Sequence, residues 1–327
     1  MKVLFINSHS ADYVQDLTYS GLVKIFGKYN VIDFRWNKKY HVPYKKYPKN
    51  LGYTSNTVLS SIKSRFPFKF DIVFVGASKV DCFETYISIV EHIPSNIPVI
   101  FIDGGDQSKI GFDLSIYKRP ELYEVATSKR EFDFIFKREY LIDAEYAENV
   151  APLPMSFNFD RKPILPENYK YDVSFWAVES YPLRTDALKL LENKFDCSDN
   201  GTCRNQKFSK YKRKGDFYLQ ELSACKIVLN LRGGGWDTLR YWEVPAIGGF
   251  MITQKPGIVI PNNYEDKKHV IYCNDNLGDL IDLCEYYLAN DRKREDIATC
   301  ALMHTKKYHT DCKRVEYIMK KISWLIK

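Results

Sequence analysis

Short apolar runs separated by amphipathic stretches fill the first half of this 327-residue chain. Val3–Asn7, Val31–Phe34, Phe70–Val75, Pro98–Ile102 and Phe132–Phe136 read as strands. Their apolar residues are nearly continuous, the pattern of parallel strands covered on both faces. Leu17–Phe26, Asn56–Ser64 and Phe83–His92 carry helical spacing and are long enough to serve as crossovers. Strands joined in this way form a doubly wound sheet, whose ligands lie beyond the strands' C-terminal ends.

The proline-punctuated stretch Pro152–Pro166 interrupts this rhythm and reads as an interdomain connection. Alternation then restarts with a strand at Asp172–Ala177 and a helix at Pro182–Lys194, with leucines at 183, 188, 190 and 191. Ile227–Leu231, Phe250–Thr253 and Val270–Cys273 follow as strands, and Leu277–Ala289, Arg292–Tyr308 and Arg314–Lys327 as helices. The expected fold class is α/β, with two Rossmann-like domains facing each other across a cleft. Residues 1–157 form the first domain, 158–170 a linker and 171–311 the second domain, while the terminal helix at 312–327 packs back on the first.

Composition narrows the function classes. Hydrophobic and charged fractions of 45% and 27% are those of a soluble globular protein. The net charge of +7 is modest, and the basic-aromatic stretches Lys38–Lys49 and Lys207–Lys214 read as solvated loops without a surrounding nucleic-acid module. Neither a signal peptide nor an apolar run of membrane-spanning length is recognisable, so the expected location is the cytoplasm, with at most peripheral membrane contact. Eight cysteines are scattered without metal-ligand spacing. Only Cys197 and Cys203 are close enough for a local disulfide, and reduced thiols are expected.

Several familiar chemistries are missing. No glycine fingerprint of a dehydrogenase follows either first strand, and no P-loop, nucleophile elbow or paired-histidine zinc motif occurs. One unit remains. The apolar run Lys226–Leu231 leads into Arg232, then Gly233, Gly234, Gly235 and Trp236, then a helix beginning near Asp237 or Thr238 with Asp237 as its cap. Glycines let a phosphate approach the backbone, a helix N-terminus offers oriented N–H groups, and guanidinium forks grip phosphate oxygens. Arg240 and Glu243 are three apart and share one helix face. On these residues alone the unit is either a phosphate cradle or a plain turn followed by a surface ion pair.

Tyr218, Leu222, Ser223, Lys226, Val228–Leu231, Gly233–Gly235, Arg240, Glu243 and Gly248-Gly249 together resemble the donor-site region of GT-B glycosyltransferases. The likeness is greatest to the spore-maturation and exostosin-type, group 1-like transferases. It implies transfer of a sugar from a nucleotide-sugar donor to a glycan, protein or small-molecule acceptor, without a metal or other cofactor and without nucleic acid as partner. It implies that the glycine segment binds the donor's diphosphate and ribose. Trp176, Arg213, Arg232, Gly233, Gly234, Gly235, Trp236, Thr238, Arg240 and Glu243 are the expected donor-binding residues. Phe250-Met251 departs from the pattern, which often has Cys or Pro there.

Acceptor-side chemistry is expected on loops after the strands of the first domain. An inverting transfer needs a group to take the acceptor's proton. Asp106, in the loop Asp103–Asp106, is the first candidate, followed by Asp12 and His9; Ser78 and Lys79 lie on a neighbouring loop. Two alternatives stand beside transfer: a non-catalytic, transferase-like partner subunit that binds nucleotide sugars, and a sugar-nucleotide epimerase.

Overall fold

The computed structural model describes residues 1–43, 45–55, 69–175, 178–195 and 215–326. The chain divides into two compact units. The first comprises Met1–Asn158, Ile258–Ile260 and Asp311–Lys327, and the second Phe159–Gly257 and Pro261–Thr310.

In the first unit, β1 (Val3–Ile6), β2 (Val31–Phe34), β3 (Ile72–Val75), β4 (Val99–Asp103), β5 (Phe134–Lys137) and β6 (Val150–Pro152) form one parallel sheet among the described residues. Their order is β2-β1-β3-β4-β5-β6. Val3 pairs with Val31 on one side and Ile72 on the other. Order and direction are those of a doubly wound sheet, and the strands' C-terminal ends therefore share one edge.

Helix α1 (Tyr13–Phe26) starts where the Asp12 carboxylate accepts from the Gln15 N–H, and ends at Gly27, whose φ of 85° favours glycine. Then come α2 (Lys38–His41), α3 (Val80–Ile89), α4 (Phe112–Ile116) and α5 (Glu121–Lys129). Core rings of Phe83, Phe101 and Phe132 pack at centroid distances of 5.3 and 4.9 Å, next to Val73, Val75 and Tyr86. Each buried ring contributes roughly 1.5–3 kcal/mol through apolar burial.

The second unit contains the parallel order β10-β9-β8-β7 among the described residues. Its strands are β7 (Tyr171–Ser174), β8 (Cys225–Asn230), β9 (Met251–Gln254) and β10 (Ile271–Cys273). Around them lie α6 (Pro182–Leu191), α7 (Asp216–Ser223), α8 (Leu239–Ala246), α9 (Leu280–Leu288) and α10 (Asp291–Tyr308). Val173, Leu188, Leu191, Ile227, Leu229 and Ile252 belong to its buried core.

The last helix, α11 (Asp311–Lys321), lies in the first unit and packs along α1. Contact is close: a Cβ on Gly21 would sit 2.4 Å from the Asp311 carbonyl oxygen. The Asp311 carboxylate accepts from Ser20 Oγ at 2.7 Å and pairs with Lys24 Nζ at 2.7 Å. Asn158 donates to the same Ser20 hydroxyl at 2.9 Å, and Arg314 Nε donates to the Pro154 carbonyl at 3.0 Å. Val259 N–H donates to the Tyr140 carbonyl at 2.8 Å, which places the short stretch 258–260 in the first unit as well.

Candidate functional site

In the second unit the chemistry gathers beyond the C-terminal ends of β7 and β8. Arg184, in the first turn of α6, is buried and directs its guanidinium at two loops. Nε donates to the Arg232 carbonyl at 2.9 Å and Nη2 to the Leu231 carbonyl at 2.9 Å. Nη1 donates to the Val178 carbonyl at 3.2 Å and to Ser180 Oγ at 3.0 Å. One side chain thus ties the loop after β7 to the loop after β8. A Cβ on Gly233 would come within 3.0 Å of Arg184 Nη2, so glycine there leaves space for the guanidinium. Gly233 N–H donates to the Gly235 carbonyl at 3.0 Å and closes the turn, with Gly234 exposed at its tip.

Arg232 is held between two rings, its Cζ 4.5 Å from the Tyr181 centroid and 4.2 Å from that of Trp236. Such stacking fixes a planar guanidinium without consuming its N–H donors. Arg240 and Arg184 both lie over the Phe175 ring, at 5.4 and 5.8 Å. Burial, together with the like charge of Arg240, pushes the Arg184 pKa down to about 9. Its hydrogen bonds all go to neutral oxygens among the described residues, so an anion brought here relieves the repulsion.

Arg240 and Glu243 are buried, 7% and 2% exposed, which excludes a solvated surface pair. Tyr218 is hydrogen-bonded to both side chains, reaching Glu243 Oε2 at 3.2 Å. Burial raises the Tyr218 pKa and keeps the phenol protonated. Glu243 therefore stands one turn inside α8, oriented by Tyr218 from α7, and its carboxylate oxygens can only accept hydrogen bonds.

Asp237 does not cap α8. Its carboxylate accepts from the indole N–H of buried Trp242 at 2.7 Å, and Thr238 occupies the N-cap position. Trp242 takes Asp237 because a buried indole N–H needs an acceptor. Thr238 makes no cap bond either; its hydroxyl donates to Asn230 Oδ1 at 2.7 Å, and Asn230 Nδ2 donates to Thr253 Oγ1 at 3.0 Å. This chain joins the start of α8 to the ends of β8 and β9 and leaves the first N–H groups of α8 without a side-chain cap.

Trp176 and Arg213, expected at the donor site, lie outside the described residues, as do the pair Cys197–Cys203 and the helix expected at Asn56–Ser64. Arg184, Phe175, Tyr181, Asn230 and Thr253 were not expected there. One signal for Arg184 is present in the sequence: it precedes Leu188 and Leu191 by four and seven residues and so sits on the apolar stripe of α6.

The first unit's sheet edge carries the other expected residues. Asp106 is 55% exposed at its side chain and paired with Arg138, which also donates to the Gly104 carbonyl at 2.8 Å. Asp12 is buried beneath Gly104, where an added Cβ would lie 2.6 Å from its Oδ1. Burial raises the Asp12 pKa, partly opposed by the positive charge of Lys79. Lys79 itself pairs with Asp113 at 2.5 Å. Asp103 is fully buried, paired with Lys137 at 3.0 Å and accepting from the Gly111 N–H at 2.9 Å, which makes it part of the scaffold. Ser78 is buried, whereas His9 is exposed, with its backbone N–H donating to Asp81 Oδ2 at 2.8 Å. Among the described residues no cluster of three or more His, Cys, Asp or Glu side chains is arranged to hold a metal ion, and no helix is long and apolar enough to cross a membrane.

Residues 187–320 match the family described as glycosyl transferase-like. Comparison with curated protein sequences found no match. Among solved structures, the Anabaena protein Alr3699/HepE in complex with UDP is similar over 99% of this chain and 100% of its own, at 11% identity and a TM-score of 0.58. An alpha-glucosyltransferase in complex with UDP and a 13-mer DNA is similar over 98% of both chains, at 10% identity and a TM-score of 0.62. Sucrose-phosphate synthase from Thermosynechococcus elongatus is similar over 99% of both chains, at 10% identity and a TM-score of 0.58. The chain has the GT-B fold, built from two Rossmann-like domains, and over residues 187–320 it is similar to the glycosyl transferase-like family.

Proposed function

We propose that this protein transfers a sugar from a nucleotide-sugar donor to a hydroxyl acceptor, and that the second unit holds the donor. The observation that carries the reading is the convergence of Arg184, Arg232 and Arg240 beside the glycine turn and the start of α8. In this reading, Arg232 and Arg240 face the diphosphate, Arg184 holds the turn in place, and Glu243 accepts from the ribose hydroxyls. Two of the similar structures contain UDP, so uridine nucleotides are the first donors to test.

The glycosidic C–O bond to phosphate breaks and its electron pair leaves with the nucleoside diphosphate. The guanidinium groups stabilise that charge where a metal ion acts in other enzymes. The acceptor oxygen bonds to the anomeric carbon. On an inverting path Asp106, which is paired with Arg138, takes the acceptor's proton. Asp12 is less suited because it caps α1 and is packed under Gly104.

Incubation with a panel of nucleotide sugars, in the presence of EDTA, tests the reading. Slow release of nucleoside diphosphate from one donor is the expected result. No release from any donor, with or without magnesium, contradicts it.

A further inference from the structure

A cavity of about 570 Å³ opens on the second unit, between α9 and α10. Its volume is within the range of small-molecule sites. Leu283, Tyr287 and Ile297 line its base; the last two belong to the unit's buried core and Leu283 packs against it. The Tyr286 ring, 45% exposed, stands at 89° to that of Tyr287 with centroids 5.0 Å apart and forms a wall.

Two contacts fix the place of this cavity in the fold. Tyr287 packs on Phe250, 4.7 Å between centroids, and Phe250 immediately precedes β9. Lys267, at the rim, donates its backbone N–H to the Val270 carbonyl at 2.8 Å, and Val270 immediately precedes β10. The cavity therefore lies at the N-terminal ends of β9 and β10. Arg232 and the glycine turn follow the C-terminal end of β8, at the opposite edge of the same parallel sheet. The cavity is separate from the proposed donor site.

Charge is unevenly divided around the opening. Lys267 and Lys293 supply two ammonium groups and Asp296 one carboxylate, all three side chains being exposed. The Lys293 ammonium bonds the Tyr286 hydroxyl and lies 5.0 Å from the centroid of that ring. An ammonium has three donors, so Tyr286 leaves two of them for a ligand. The Lys267 ammonium has no acceptor among the described residues.

Most of the surface lining the cavity is apolar, so an apolar body gains by leaving water there. One anionic group attached to that body meets two ammoniums against a single carboxylate. Further negative charges on the same ligand are set against Asp296.

We propose that this cavity binds an amphipathic monoanion, an alkyl or aryl body bearing one carboxylate or similar group, with Lys267 and Lys293 on the anion. The proposal does not rest on the transferase reading.

Ligand-observed NMR titration of the full chain with octanoate and 2-naphthoate, with octanol and octylamine as controls, tests it. At least one carboxylate is expected to bind saturably and more tightly than either control, and the two probes distinguish an alkyl from an aryl body. Lys267→Glu and Lys293→Gln should each weaken that binding, the charge reversal by about fivefold or more, whereas Asp296→Asn should tighten it. These are exposed side chains, so the fold should persist, and an unchanged melting temperature checks this. No binding of either carboxylate overturns the proposal, as does binding that survives both lysine substitutions or octanol binding as tightly as octanoate. Displacement of the carboxylate by UDP also overturns it, since that places the probe at the donor site. Absence of UDP binding beside normal carboxylate binding removes the donor reading alone.

Discussion

Arg184 Nε donates to the carbonyl oxygen of Arg232 at 2.9 Å, so a side chain from α6 sets the backbone immediately before the glycine turn. The same guanidinium holds Leu231 and the loop Val178–Ser180. Hydrogen bonds from a charged donor contribute about 1.5–3 kcal/mol each, and buried carbonyls left unsatisfied cost a similar amount. Arg184→Lys keeps the charge but cannot span both loops. The expected outcome is at least about tenfold weaker nucleoside diphosphate binding, with a folded protein of lower Tm. Calorimetric titration alongside thermal melts measures both.

Arg240 and Glu243 separate charge from geometry. Arg240→Ala is expected to lower nucleoside diphosphate affinity by about tenfold or more, since one charge-assisted contact is lost. Glu243→Gln retains an oxygen for Tyr218 but not the anionic acceptor, so it should fold normally and bind the donor more weakly. Competitive binding with the 2′-deoxy nucleotide reads the ribose contact directly. Discrimination against that analogue should shrink in Glu243→Gln, and unchanged discrimination removes Glu243 from ribose recognition.

Asp106→Asn tests the proton-accepting role separately. Donor binding should stay within about twofold of wild type while transfer falls by roughly 10²–10⁴, the range of general acid–base catalysis. Full activity in this variant removes Asp106 from the mechanism.

Much of the first unit is legible in the sequence because its strands are buried on both faces. Val31–Phe34 is a strand with the bounds its apolar run suggests. Val150–Pro152 is not legible: it is a short edge strand ending in proline, and proline reads as a breaker. Helix α5 carries Glu121, Glu124 and Lys129 around few apolar positions, which gives little periodicity to detect. At the proposed donor site Gly233, Arg240, Glu243 and Tyr218 stand in one recognisable segment. Arg184 stands about 50 residues earlier in the chain, and its role arises only from the adjacency of β7 and β8. Asp237 misleads in a different way: it has the sequence position of a cap, yet Trp242 claims it through burial.

Acid should weaken the second unit through a histidine cluster. His269 and His304 are 4.2 Å apart between centroids, and His309 lies 5.1 Å from His304. Burial and the neighbouring His304 push the His269 pKa down to about 4, with Glu265 opposing and Lys268 adding to the shift. Because the folded value lies below the usual 6.5, the unfolded chain binds the proton first as pH falls. The stabilisation held by neutral His269 is complete above pH 6.5 and is lost progressively towards pH 4. Melting curves between pH 7.5 and 4.5 should show this loss, and His269→Gln should flatten it.

Gly21 is a test of the α1–α11 contact. A methyl group there meets the Asp311 carbonyl at 2.4 Å and Val315 Cγ2 at 2.7 Å. Gly21→Ala should therefore destabilise the protein by about 1–3 kcal/mol, as overpacking does, in spite of alanine's better helix propensity. Chemical denaturation gives the value, and a stabilised variant contradicts the close approach.

The central claim is that the guanidinium cluster beside Gly233–Gly235 binds the diphosphate of a nucleotide sugar. Isothermal titration of UDP, GDP, ADP and TDP into the wild-type protein and into Arg232→Ala tests it most directly. Saturable binding of at least one nucleotide, weakened about tenfold or more by Arg232→Ala, is the predicted result. Absence of binding by all four, or equal affinity in the variant, contradicts the account.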